Sequence, residues 1–126
     1  MLVIVMDKVK FLIENDKDVI NEFLKTLSKK ENEKVKRVIK LLNDLGFERL
    51  INTEMCGGIQ GQDNLWYLRA KYRTNIFRIF FFKHYIDYTE VYILLHGFIK
   101  KTNRIPKSEI NLALKRKNNL LKELKN

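Results

Sequence analysis

Three consecutive apolar runs between Trp66 and Lys101 constrain the fold of this chain more than any other feature. The runs read WYLRAKY, IFRIFFF and VYILLHGFIKK, and short polar segments separate them. Runs rich in aromatic and β-branched residues with such breaks are typical of antiparallel strands joined by turns. We therefore predict a small antiparallel meander. The third run is apolar on both faces over Val91–Phe98, which indicates a central strand that is covered on both sides.

Cations lie within this apolar meander. Arg69 and Lys71 interrupt the first run, Arg78 interrupts the second, and Lys100 and Lys101 end the third. The runs themselves contain no carboxylate that could neutralise these charges. Cations on a sheet without nearby acids are unfavourable, so an anionic ligand is a reasonable cause for their presence.

A turn at Thr74–Asn75 would decide how these cations pair. With a two-residue turn there, Lys71 lies opposite Arg78 and Arg69 lies opposite Phe80. All four side chains then share one face of the sheet, and the opposite face points to the core. The pairing depends on this turn, since a longer one would separate the charges.

Upstream of the meander the sequence predicts a strand and two helices. Apolar and polar residues alternate over Lys8–Glu14 as they do in a strand, and Leu2–Val5 could begin that strand. Because Met6 could also begin the chain, residues 1–5 are either part of that strand or an upstream start. Apolar residues at helical spacing predict a helix over residues 16–28 and a second helix that ends at Gly46.

The remaining segments complete a single predicted domain, residues 1–126. Phe47–Asn64 reads as a mobile linker with a Gly-rich second half, and His84–Glu90 reads as a polar loop. Pro106 suits the first turn of a final helix. The resulting prediction is an α+β fold in the order β-α-α-β-β-β-α.

Charge and cysteine content limit the functional classes. The net charge is +10, and residues 99–126 contain nine Lys and Arg but two Asp and Glu. This excess favours a polyanionic partner, which could be a nucleic acid, an acidic protein or an anionic membrane surface. Because Cys56 is the single cysteine, an internal disulfide and a Cys-based zinc site are excluded, and a cytoplasmic location is favoured. We interpret Cys56 itself as a packing residue. No apolar run is long enough to predict a membrane span.

The segment WYLRAKY…FRIFFF…VYILLHGFIKKTNRIPKSEINLALKRK resembles the RelE/HigB-like toxins of bacterial type II toxin–antitoxin modules, and in particular their phage-derived HigB-like branch. The resemblance covers residues 65–117. It implies a RelE-like fold, in which a small curved antiparallel sheet is flanked by an N-terminal helical hairpin and a C-terminal helix. It also implies cleavage of mRNA in the ribosomal A site by attack of the 2′-hydroxyl on the adjacent phosphate, with neither metal nor other cofactor. The expected protein partner is a helix-turn-helix antitoxin.

The resemblance also assigns roles to individual residues. Arg69 and Arg78 match the family's arginines and are expected to stabilise the phosphate. Lys100 and Lys101 match its lysine pair, one of which would aid proton transfer or charge stabilisation, so these four form the predicted catalytic set. The predicted RNA contacts are Lys71, Arg73, Arg104, Lys107 and Arg116.

The chain departs from the family pattern at the positions that would transfer protons. Tyr67 stands where a glutamate often precedes Leu-Arg, Phe80–Phe82 has no hydroxyl, and no tyrosine follows Tyr92. The two histidines are His84 and His96. A histidine in an apolar strand, as His96 is, is either structural or catalytic, so the general acid stays unassigned. The alternative function is therefore a noncatalytic RNA-binding or regulatory protein on the same fold, held by an antitoxin.

Overall fold

The computed structural model describes residues 1–4, 6–100 and 104–125, so the predicted site residue Lys101 lies outside the described part. In chain order the elements are β1 (Leu2–Ile4), β2 (Val9–Glu14), β3 (Lys17–Asp18), α1 (Val19–Lys25), α2 (Lys29–Leu45), α3 (Phe47–Leu50), β4 (Cys56–Gly58), β5 (Trp66–Tyr72), β6 (Asn75–Ile86), β7 (Thr89–Lys100) and α4 (Lys107–Lys125).

The strands form a mixed sheet. Six of the described strands follow one another in the order β1-β2-β7-β6-β5-β4, and β3 pairs with β2 off this path. β2 and β7 are parallel, whereas the other paired strands are antiparallel. The α+β class is confirmed. The predicted order β-α-α-β-β-β-α is wrong, because β1, β3, α3 and β4 are too short to show a period in the sequence. The wholly antiparallel sheet is wrong because β2 and β7, which are distant in sequence, pair in parallel.

β7 is a central strand, as its apolar character predicts. Val91–His96 are all buried, with β6 on one side of the strand and β2 on the other. A central strand needs a second apolar neighbour, and the buried residues of β2 supply it. Val9 lies beside Tyr92 and Phe11 beside Leu94.

The turn between β5 and β6 lies one residue earlier than predicted. It consists of Arg73 and Thr74, and Arg73 has a φ of 56°. As a result Arg69, and not Lys71, lies opposite Arg78. Moving a two-residue turn by one position shifts the register by two residues, so every side chain keeps its predicted face.

The predicted polar loop His84–Glu90 is mostly strand. β6 continues to Ile86 and β7 starts at Thr89. The turn is formed by Asp87 and Tyr88, whose φ values of 51° and 66° match the turns that favour two-residue hairpins. Polar residues at an exposed hairpin end hide the strand period, which explains the wrong prediction.

The linker Phe47–Asn64 is more ordered than predicted. It contains α3 and β4, and in β4 Gly57 and Gly58 lie opposite Tyr67 and Trp66. A Cβ atom on Gly58 would come within 2.9 Å of Cζ3 of Trp66, and one on Gly57 would overlap the Tyr67 ring. The glycines therefore allow two aromatic rings to lie across the neighbouring strand.

The first helix is shorter than the predicted residues 16–28. Asn15 and Asp16 have φ values of 52° and 63° and form a turn between β2 and β3. The N-cap is Asp18, whose carboxylate accepts a hydrogen bond from the backbone N–H of Asn21 at 3.0 Å. The helix therefore begins three residues later and ends three residues earlier than predicted.

Helices cover both faces of the sheet and create two hydrophobic cores. Helices α1, α2 and α3 pack on the face that includes Phe81 and Leu94. Helix α4 packs through Ala113 and Leu120 on the face that includes Phe82. No helix within the described ranges is long and apolar enough to cross a membrane.

Candidate functional site

Three adjacent strands place the predicted cations on one face of the sheet, the face on which α4 packs. Arg69 of β5 lies directly opposite Arg78 of β6. In the neighbouring row, Ile76 has Lys71 on one side and Lys100 on the other. Directly opposed residues point to the same face, so the structure brings four of the predicted site residues together. We call this surface the cationic face.

The row on the other side of the arginines contains ring side chains. Tyr67, Phe80 and His96 lie opposite one another on β5, β6 and β7. Phe80 also stacks on Phe98, with ring centroids 5.4 Å apart and an interplanar angle of 28°. Phe80 belongs to the same hydrophobic cluster as Ala113 and Leu120 of α4, so these rings pack between the sheet and that helix.

An open depression lies on the cationic face. Among the described residues its lining consists of Glu54, Tyr67, Arg69, Lys71 and Arg78. Tyr67 and Glu54 were not predicted as site residues. Tyr67 brings a hydroxyl group, and Glu54 brings a carboxylate from the linker, which corrects the prediction that no carboxylate lies near the cations. Only the tertiary fold brings Glu54 to this place.

Arg78 forms the buried floor of the depression. Only 3% of its surface is exposed, and its guanidinium carbon lies 5.5 Å from the centroid of the Tyr67 ring. Burial lowers the pKa of Arg78, Tyr67 opposes this effect, and the charge of Arg69 lowers the pKa further. An arginine remains charged in spite of such a shift, so a bound anion would relieve the repulsion between the two guanidinium groups.

His96 is held by the C-terminal helix. Its Nε2 atom lies 2.9 Å from Oε2 of Glu109 in α4, and the side chain is 5% exposed. In the described part of the chain its Nδ1 atom is buried without a hydrogen-bond partner. A charged imidazole would present a second donor there, so the neutral form with a proton on Nε2 fits best.

Burial lowers the pKa of His96 from its usual value of 6.5, and the charge of Arg116 adds to this effect. Glu109 and Glu14 oppose it. The structural interpretation of His96 is therefore the better one: the residue joins β7 to α4 beside the cationic face.

The stability of the protein should consequently fall in mild acid. Because the folded pKa of His96 is lowered, the unfolded chain binds the proton more readily below about pH 6.5, which is near the unperturbed value for histidine. We expect the free energy of unfolding to decrease from pH 6.5 towards pH 5, and His96→Gln to reduce that decrease. Urea denaturation at several pH values measures both slopes. Equal slopes would show that His96 does not cause the change.

The other predicted RNA contacts are dispersed. Arg73 is at the tip of the β5–β6 hairpin, 5.4 Å from the centroid of the Tyr72 ring. Arg104 and Lys107 are exposed before and at the start of α4. Arg116 forms an ion pair with Glu14 of β2 at 3.1 Å. Their contacts with RNA stay predictions.

Cys56 does not have the properties of a nucleophile. It is buried in β4, and burial raises the pKa of its thiol to about 12 although Lys83 opposes the shift. A thiolate is the reactive form, so the packing interpretation stands. Within residues 1–4, 6–100 and 104–125, no group of three or more His, Cys, Asp and Glu residues could hold a metal ion.

Comparison with known families identifies the chain. Residues 22–118 match the model of the family described as Phage derived protein Gp49-like (DUF891). This chain belongs to the Gp49-like family. The match extends from α1 into α4 and includes Glu54, the cationic face, His96 and Glu109, so the whole site lies in the part that defines the family. No curated protein and no solved structure matches the chain.

Proposed function

We propose that this Gp49-like protein is the RelE/HigB-like toxin of a type II toxin–antitoxin module and cleaves mRNA in the ribosomal A site. One observation carries the proposal. Arg69 lies directly opposite Arg78 on paired strands, and in the next row Lys71 and Lys100 lie on either side of Ile76. Strand pairing fixes the backbone positions from which these charged side chains extend. Such preorganisation is what charge stabilisation in a transition state requires.

The proposed reaction needs no nucleophile from the protein. The 2′-hydroxyl of the RNA attacks the adjacent phosphorus, the bond to the 5′-oxygen breaks, and a cyclic phosphate and a 5′-hydroxyl result. Arg69 and Arg78 stabilise the negative charge that develops on the phosphoryl oxygens, since guanidinium groups match them in a bidentate manner. Lys71 contacts the RNA and helps to align it, and one of Lys100 and Lys101 aids proton transfer or charge stabilisation.

The partners follow from the same proposal. The mRNA on the ribosome supplies the polyanion that a chain of net charge +10 attracts. A helix-turn-helix antitoxin neutralises the toxin. The protein acts in the cytoplasm, where both partners are found.

Purified protein, ribosomes and a defined mRNA test this function. We expect cuts within translated codons, with 5′-hydroxyl ends, and far fewer cuts when ribosomes are left out. Primer extension locates the cuts, and a kinase reaction that requires no prior phosphatase treatment detects the 5′-hydroxyl. Intact mRNA at saturating toxin concentrations would contradict the proposal.

A noncatalytic RNA-binding protein is the second candidate function. It is favoured by Phe80, Phe81 and Phe82, which have no hydroxyl where the family's arginine strand often ends in tyrosine. This candidate predicts RNA binding that weakens steeply with salt but produces no cuts. Filter binding at several salt concentrations, combined with the cleavage assay, separates the two functions.

A further inference from the structure

Glu54 occupies a special place among the charged groups around the cationic face. It lines the depression on that face and also a second depression, which lies between β5 and α2. Among the described residues that line either depression, it is the one carboxylate. The charged residues that share these linings with it are Lys34, Arg37, Arg69, Lys71 and Arg78.

The backbone around Glu54 is held on both sides. The hydroxyl of Thr53 donates to the carbonyl oxygen of Leu50 at 2.7 Å and accepts from the N–H of Met55 at 3.1 Å. The N–H of Arg69 donates to the carbonyl oxygen of Met55 at 2.8 Å. The backbone at Glu54 is therefore fixed one residue away from a hydrogen bond to Arg69.

The chemistry of the lining residues leaves few groups that could accept a proton. Charged lysine and arginine side chains are donors only, whereas an ionised carboxylate is an acceptor only. Removal of a proton from a 2′-hydroxyl needs an acceptor beside the phosphate that is attacked. Arg69 and Arg78 mark the place of that phosphate under the proposed function, and Glu54 lines the same depression.

We infer that Glu54 is the general base of the proposed RNA cleavage. The carboxylate takes the proton of the 2′-hydroxyl while the 2′-oxygen forms its bond to phosphorus. The 5′-oxygen leaves with the electron pair of the broken bond and takes a proton from water, and Glu54 returns its proton to water. The step consumes no co-reactant. This inference rests on the proposed function and adds a proton acceptor to it.

Glu54→Gln tests the inference, because it keeps the size of the side chain and removes the proton acceptor. We expect single-turnover cleavage on ribosomes to slow about 100-fold or more. RNA affinity should stay the same or rise, since a negative charge leaves a cationic surface. The ascending acid limb of the wild-type pH–rate profile should disappear. Glu54→Asp, which keeps a carboxylate, should retain part of the rate.

Glu33→Gln is the matched control, because Glu33 is an exposed carboxylate of α2 that lines a different depression. It should cleave as the wild type does. If Glu54→Gln cleaves at the wild-type rate and its pH profile is unchanged, the role of Glu54 is overturned, whereas the proposed function is not. A loss of rate accompanied by a lower denaturation midpoint would overturn it in favour of a structural role. Absence of cleavage by the wild type would instead overturn the proposed function.

Discussion

Replacing Arg69 with alanine is expected to slow cleavage of ribosome-bound mRNA about 100- to 1,000-fold, which is typical for the loss of one positioned charge stabiliser, or about 2.7–4 kcal/mol. The fold should not be weakened. Arg69 lies directly opposite Arg78, and like charges across a strand pair are destabilising, so the free energy of unfolding should stay constant or rise slightly. Single-turnover cleavage and urea denaturation measure the two quantities.

Two further variants sharpen this test. Arg69→Lys keeps the charge but loses the bidentate geometry, so its rate should fall between those of the wild type and Arg69→Ala. Arg49→Ala removes an exposed arginine from α3 and should leave the rate unchanged. A wild-type rate in Arg69→Ala would remove Arg69 from the catalytic set. Arg78 is a poorer first target, because its burial makes loss of folding a second explanation.

Replacing Phe81 with alanine is expected to lower the free energy of unfolding by about 3–5 kcal/mol, which is the usual result for a fully buried phenylalanine. Phe81 has no exposed surface, and its ring lies edge to face with Phe47 at 6.3 Å and with Tyr92 at 6.1 Å. The variant therefore opens a cavity between the sheet and α3. Such a loss is a large part of the typical stability of a domain.

Urea denaturation followed by circular dichroism measures this effect, and Tyr88→Ala is its control. Tyr88 is also aromatic, but it is fully exposed at the β6–β7 turn and should contribute little to stability. A change of less than about 1 kcal/mol in Phe81→Ala would mean that the core rearranges to fill the space.

The fold was predictable from the sequence where a long element carries a clear period. The central position of β7 followed from its apolar faces, and the second helix followed from buried residues at helical spacing, such as Val35 and Leu42. The short elements were not predictable. Strand β4 reads as a flexible linker in the sequence, because its Gly57 and Gly58 become strand residues only when the rings of β5 cover them.

The site was predictable in part, for a similar reason. Alternation along β5 and β6 together with a two-residue turn assigned Arg69, Lys71 and Arg78 to one face, and this held because moving such a turn by one residue keeps every side chain on its face. Glu54 and Glu109 were not predictable. Each reaches the site from a different segment of the chain, and no local pattern reports such an approach.

The sequence alone placed Arg69, Lys71 and Arg78 on a common side of the sheet, because strands alternate with a period of two and the apolar residues mark the other side as the core. The tertiary structure decided which charges meet. It set Arg69 against Arg78 through the position of a turn, brought Glu54 to them through the pairing of β4 with β5, and joined His96 to α4 through Glu109. These contacts depend on packing between distant segments, which local preference does not encode.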